Sequence, residues 1–416
     1  MNPTTTTTHL CRFCSAPLQH TFADLGMSPL SNAYLTEDQL RSPEKLYPLR
    51  VYVCEKCMLV QLPKHEEPEV IFGDYAYFSS FSDTWLEHCK EYTDSVTKRF
   101  NVANNSLVVE LASNDGYLLQ YFQEQGIPVL GIEPAKNVAL AANEKGIPTI
   151  DKFFGTELAE KLATAEKMAD LIIGNNVLAH VPDLNDFVAG IKRILKPSGI
   201  ITMEFPHLMK LIDLNQFDTI YHEHFSYFSF MVVVAVFAKH RLTIFDVDEL
   251  STHGGSLRIY ARHTDNDAQP VSDAVTELLA REKQAGFHTL QTYTTFQDRI
   301  EDHKQQVLTF LNKAKHEGKT VVGYGAPAKG NTMLISCGIT RDLIAYTVDR
   351  SPHKQNHYLP ATHIPIYHPD KFKETKPDFV LILPWNIKDE IMQQMAHIRD
   401  WEGQFVVTTP SLVIQK

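Results

Sequence analysis

The sequence predicts an α/β protein in three parts: a small N-terminal metal-binding module, a central domain on a parallel sheet, and a smaller C-terminal α/β domain. Three observations predict it. Two CxxC pairs, Cys11/Cys14 and Cys54/Cys57, stand near the start. From about residue 85, short apolar runs ending in turns of small or polar residues alternate with helical stretches. A strand, glycine turn and helix pattern restarts near residue 319. The parts are placed at 1–70, 71–264 and 265–416. A chain of 416 residues exceeds one ordinary core, and 44% hydrophobic residues permit full packing.

The front module is read from its thiols. CRFC (residues 11–14) and CEKC (residues 54–57) each sit in a short turn, separated by 39 residues that include the strand-like LYPLRVYVC. Two such knuckles complete a tetrahedron around zinc, and four thiolates leave no open position, so the zinc is expected to be structural. A redox dithiol is the competing reading, but two matched pairs fit metal better. Cys89 and Cys337 are expected to be ordinary buried thiols.

The central domain is read from four strands, at residues 107–111, 128–132, 169–174 and 199–204. Strands separated by helices imply right-handed crossovers and a parallel sheet. Ligands bind at the carboxyl ends of such strands. There lie Ala112-Ser113-Asn114-Asp115-Gly116, whose small residues allow close backbone approach, then Glu133, placed for two ribose hydroxyls, then Asn175 and Asn176. A nicotinamide dinucleotide site also ends its second strand with an acid, but GxGxxG is absent and no pyrophosphate loop is present. S-adenosylmethionine (SAM) carries no phosphate and needs none. The runs NVLAHVPD (176–183) and LKPSG (195–199) resemble the later motifs of class I SAM methyltransferases. Strand-like residues 242–247 and 256–261 resemble the closing antiparallel pair of that Rossmann-like fold.

In the last part, residues 265–318 read as helical, with Ile300, Val307, Leu308 and Leu311 at helical spacing. Strands follow at 319–324, 343–348 and 378–383. The turn after the first carries Lys329 near a helix N-terminus, suited to a loose diphosphate contact although no P-loop is present.

No apolar run approaches about 18 residues, so no membrane span is expected. MNPTTTTTHL lacks the pattern of a secretory signal, so a cytoplasmic protein is expected. A net charge of -11 argues against a nucleic-acid partner.

YHEHFSY (residues 221–227) gathers two imidazoles, a carboxylate and two phenols beside the cofactor domain. That pattern suits methyl transfer to an atom that first loses a proton. If the run were a strand, His222 and His224 would point the same way and could share a metal, but no third ligand is suggested.

Taken together, the paired CxxC motifs, Asp24-Leu25-Gly26 with Pro29-Leu30-Ser31-Asn32, YAYFSSFS (75–82), ELASNDGYLL (110–119), YHEHFSY and GYGAPAKGNT (323–332) resemble the sugar 3-C-methyltransferases of deoxysugar biosynthesis over nearly the whole chain. The resemblance implies a zinc module, a class I SAM domain and a C-terminal Rossmann-like domain. It implies a nucleoside-diphosphate 4-keto sugar as substrate, usually dTDP-linked, whose acidic C3 hydrogen a base removes before methylation. It implies His224 as base, with Glu223, Tyr221 and Tyr75 in the active site. His180, Tyr221, Tyr227 and Lys329 are expected to meet the substrate. SAM is expected to lie against Tyr77, Ser79 and Ser82, then Glu110, Ala112, Asn114, Gly116, Tyr117 and Leu118, then Glu133, and then Asn175, Asn176 and His180. A methyltransferase acting on oxygen or nitrogen, one acting on C5 of a related sugar, and a non-catalytic SAM-binding scaffold are the alternatives.

Overall fold

The computed structural model describes residues 9–72, 79–81 and 83–415. Tyr75, Tyr77 and Ser82 lie outside the described residues.

The front module is a meander of β1 (His20–Ser28), β2 (Tyr47–Val53) and β3 (Val60–Gln61), paired antiparallel. Alternation of buried and exposed residues along β2 marks a sheet with one face on the core. The two CxxC turns have matching geometry. In each, the residue after the second cysteine adopts positive φ (Ser15, 62°; Met58, 60°) and returns its N–H to the first cysteine's carbonyl at 2.8 Å. The four Sγ atoms lie within 4.8 Å of one another, with Cys11–Cys57 and Cys14–Cys54 at 3.5 Å. These separations fit a tetrahedron of Zn–S bonds of about 2.3 Å. Gln61 Nε2 donates to Cys11 Sγ at 3.1 Å, a donor suited to a thiolate.

The central sheet uses β4 (Val108–Leu111), β5 (Val129–Ile132), β6 (Thr149–Ile150), β7 (Ala169–Asn175) and β8 (Leu195–Pro206). A two-residue strand, β9 (Ser226–Tyr227), leaves this domain and pairs with β3 as the fourth strand of the front sheet. The hairpin of β10 (Leu242–Leu250) and β11 (Ser256–His263) then closes the central sheet, in the order β10-β11-β8-β7-β4-β5-β6. Pairs from β6 to β8 are parallel, and β11 runs antiparallel to its neighbours. β4 and β5 are buried throughout, as continuous apolar runs in a parallel sheet should be. The strand order reverses between β4 and β7, so the turns after β4, β5 and β7 open on one side.

In the C-terminal domain the helix Phe296–His316 buries Ile300, Val307 and Leu311, and its Phe296 stacks on Phe22 of β1 at 4.8 Å. The sheet contains β12 (Val321–Tyr324), β13 (Thr347–Val348), β14 (Ile366–Tyr367), β15 (Phe379–Ile382), β16 (Gln404–Val407) and β17 (Val413–Gln415), in the order β14-β13-β12-β15-β16-β17. The strand expected at 343–348 is shorter than its apolar pattern. The N–H groups of Leu343 and Ile344 bond back to the Thr340 carbonyl, so contact with β12 begins at Ala345 and the strand itself is Thr347–Val348.

One apolar cluster runs through all three parts, including Phe22 and Val51, Phe217 and Ile220, and Ile300 and Met333. Cys89 and Cys337 are buried free thiols. Among the described residues no helix is long and apolar enough to cross a membrane.

The thiol geometry leads to one zinc per chain, measured by metal analysis of the purified protein. Because such a metal contributes to folding, Cys54→Ser should lose both zinc and solubility. Full zinc content in that variant would disprove the four-thiolate assignment.

Candidate active site

A cavity of about 460 Å³ opens where the three parts meet. Its central-domain wall is the carboxyl edge of the parallel sheet. After β4 the chain turns through three positive-φ residues, Ala112 (56°), Asn114 (48°) and Gly116 (78°). Glycine is required at the last, where a Cβ would lie 2.4 Å from Ile147 Cδ1. Glu133, at the end of β5, accepts the Asn114 N–H at 3.0 Å and the Ala135 N–H at 2.9 Å. Burial raises its pKa, opposed by those two donors. Asn114 Oδ1 accepts the Ser79 N–H at 2.9 Å. At the end of β7, Asn175 Nδ2 is buried with no partner among the described residues, so a donor is left at the cavity wall. Asn176 (φ 55°) donates through Nδ2 to His253 Nε2 at 3.0 Å.

The second wall is the YHEH turn. His224 Nδ1 lies 2.9 Å from the Thr219 carbonyl, which accepts only, so Nδ1 carries the proton and Nε2 carries the lone pair. The ring sits 4.1 Å from Tyr221 and 4.7 Å from His180, centroid to centroid. Burial is the main cause holding the His224 pKa well below its ordinary value; His180, Lys329 and His253 act in the same direction. His180, Tyr221, Glu223 and His224 all line the cavity.

His222 does not. Residues 222–223 form a turn rather than a strand, so the alternation that would have aligned the two imidazoles is absent. His222 faces the front module, with Nε2 at 3.3 Å from the Pro48 carbonyl and its ring 5.6 Å from Tyr47.

The third wall comes from the C-terminal domain. Lys329 stands in the first turn of the helix Ala328–Ser336 and donates to Asn386 Oδ1 at 2.8 Å. Its ammonium lies 4.5 Å from the Trp385 ring centroid. Trp385 donates to Asp218 Oδ2 at 2.6 Å. Burial lowers the Lys329 pKa and raises that of Asp218 to about 6, while their mutual attraction opposes both shifts. Lys354 lines the same wall.

Of the residues expected from sequence, Ser79, Ala112, Asn114, Tyr117, Glu133, Asn175, Asn176, His180, Tyr221, Glu223, His224 and Lys329 converge on this cavity. Glu110, Gly116, Leu118 and Tyr227 do not line it. Glu110 is fully buried on β4, where burial drives its pKa well above the carboxylate range. Gly116 shapes the turn. Tyr227 belongs to β9, with its ring 6.1 Å from His224. Sequence reasoning missed Asn32, Trp85, His253, Lys354 and Asn386, which also line the cavity. Asn32 lay within a motif already singled out. The others carried no local signal.

Burial holds His180, His222 and His253 down to about 4, with His224 also far below its ordinary 6.5. Unfolding restores ordinary values, so between about 6.5 and about 4 the unfolded chain binds more protons. Stability should therefore fall as pH falls through that window. Melting temperature measured from pH 7.5 to 5 should drop, and His222→Gln should reduce the slope by about one proton. A flat profile would contradict the neutral burial of these rings.

Residues 11–72 match the family model described as "Putative zinc binding domain", 85–230 that described as "Methyltransferase domain", and 251–410 that described as "C-methyltransferase C-terminal domain". The chain is 36% identical to C-methyltransferase NovU of Streptomyces niveus over 400 residues, covering 96% of this chain and 95% of that one. Ubiquinone biosynthesis O-methyltransferase of Bartonella tribocorum is 26% identical over 134 residues, 31% of this chain and 54% of its own length. Among solved structures, the PH0226 protein of Pyrococcus horikoshii covers 48% of this chain and 99% of its own at 18% identity, with a TM-score of 0.38. The match to NovU runs nearly end to end and spans the zinc, methyltransferase and C-terminal parts alike, so this chain belongs to the family of SAM-dependent C-methyltransferases that includes NovU.

Proposed function

We propose that the protein methylates C3 of a nucleoside-diphosphate 4-keto deoxysugar, dTDP-linked, with His224 as the base. The observation that carries this reading is the locked tautomer of His224. Its Nδ1–H is held by the Thr219 carbonyl, and the ring borders the same cavity as the cofactor-type turns. A neutral imidazole with a free lone pair accepts a proton; a low pKa keeps it unprotonated at neutral pH.

SAM, when bound, supplies an electrophilic methyl group. Glu133 would take the ribose hydroxyls, and the Ala112–Tyr117 turn, Ser79, Asn175, Asn176 and His180 would surround the rest. Tyr77 and Ser82 remain part of this assignment by resemblance alone, as does Tyr75 at the reacting centre. His224 Nε2 takes the C3 proton. The charge then moves toward the 4-keto oxygen, to which Tyr221, and by resemblance Tyr75, would donate hydrogen bonds. Glu223 holds the sugar. Lys329 and Lys354, with the N-terminus of the helix Ala328–Ser336, meet the diphosphate.

Two outcomes are expected. Glu133→Ala removes a charge-assisted acceptor, so SAM affinity measured by calorimetry should fall by about tenfold or more. An unchanged dissociation constant would remove Glu133 from the site. His224→Asn should still bind SAM and nucleotide sugar but turn over at least about a hundredfold more slowly. It should also lose deuterium exchange at C3 in the absence of SAM. His222→Asn, facing the other domain, should do much less harm. The acid limb of kcat/KM in the native enzyme should lie below pH 6.5, in keeping with the lowered His224 pKa. Near-normal turnover by His224→Asn would place the base elsewhere.

A further inference from the structure

Pro29-Leu30-Ser31-Asn32 belongs to the front module, yet Asn32 lines the cavity. Its Nδ2 donates to Glu223 Oε1 at 2.5 Å, across 191 residues of sequence. Glu223 is 4% exposed, and a carboxylate so deeply buried needs donors to stay ionised. The amide orientation follows from the neighbours. An ionised carboxylate only accepts, so the NH₂ end must face it, and Oδ1 then lies 3.3 Å from the Tyr34 hydroxyl.

The turn that carries Asn32 is braced on both sides. The Tyr34 N–H returns to the Asn32 carbonyl at 2.9 Å, and the Tyr34 hydroxyl donates to the Ala326 carbonyl at 2.6 Å. The Ser31 carbonyl accepts Asn331 Nδ2 at 2.5 Å, from a fully buried side chain on the helix Ala328–Ser336. The next residue of that helix, Thr332, donates to the Ile220 carbonyl at 2.9 Å, just ahead of the YHEH turn. One helix therefore anchors both the segment that donates and the segment that accepts. A side chain needed only to cap its own turn would not require this bracing from another domain.

We propose that Asn32 is a positioning residue of the active site, contributed by the zinc module, which holds the Glu223 carboxyl group beside His224. The proposal rests on the reading of Glu223 as an active-site carboxylate.

The test compares full-length native protein with Asn32→Ala, Glu223→Gln and the double variant, with zinc content and SAM affinity as folding controls. Infrared titration follows the Glu223 carboxylate, assigned by its loss in Glu223→Gln. In Asn32→Ala its midpoint should rise by about one pH unit or more, because a donor to the charged form is gone. Turnover of the 4-keto sugar should fall by about tenfold or more in kcat, with KM changing less. In the Glu223→Gln background the same substitution should cost less than about threefold, since the two residues act as a unit. An unmoved infrared midpoint overturns the proposal, whatever the substrate. So does an equal kinetic cost in both backgrounds. A native enzyme that methylates no 4-keto sugar would instead overturn the substrate assignment, leaving the infrared result to decide the role of Asn32.

Discussion

The structure depends on burying a polar turn. Residues 221–227 carry two imidazoles, a carboxylate and two phenols, and His222, Glu223, His224 and Tyr227 are all buried. Such groups are tolerated in an interior only where hydrogen bonds replace the water they lose. Among the described residues, the partners come from separate segments. The Thr219 carbonyl holds His224, Asn32 of the front module holds Glu223, and the Pro48 carbonyl meets His222. The C-terminal helix ties down Ile220 through Thr332. The front module and the central domain each satisfy part of the turn, the C-terminal helix anchors the residue before it, and the cavity lies at their junction.

This arrangement also separates two chemically similar histidines. His222 and His224 are two residues apart, both neutral, and both held down by burial. They differ in what they face. The turn directs one ring against Tyr47 and His65 of the front module, and the other against Tyr221 and His180 at the cavity. Placement rather than intrinsic basicity distinguishes them.

Local features were legible in the sequence. The CxxC spacing, the small-residue turn after β4, the acid at the end of β5 and the paired asparagines at the end of β7 are each encoded within a few residues. The cavity gathers the last three. Strand lengths were less legible: an apolar run at 343–348 reads as strand, but its first two donors are taken by a turn at Thr340. What was not legible was long-range. Nothing near Asn32 announces Glu223, and nothing in Ser226-Tyr227 announces a strand of the front sheet. These pairings are set by how domains dock, which hydrophobic period and turn chemistry do not record.

The zinc module can now be given a role beyond its own stability. Arg12 stands between Cys11 and Cys14, so the metal knuckle fixes its backbone. Its guanidinium donates to the Pro182 carbonyl at 2.9 Å and to the Leu62 carbonyl, and lies 5.4 Å from the Phe225 ring centroid. Leu62 in turn donates its N–H to the Phe225 carbonyl at 3.0 Å, and Phe225 donates to the Ala179 carbonyl at 2.8 Å. Phe225 follows His224 directly, and Ala179 precedes His180. The second knuckle leads into β3, which pairs with β9 immediately beyond that point. Both knuckles therefore reach Phe225, which follows His224 and bonds the residue before His180. A structural metal held by these four thiolates would fix the backbone beside His224, the residue proposed above as the base.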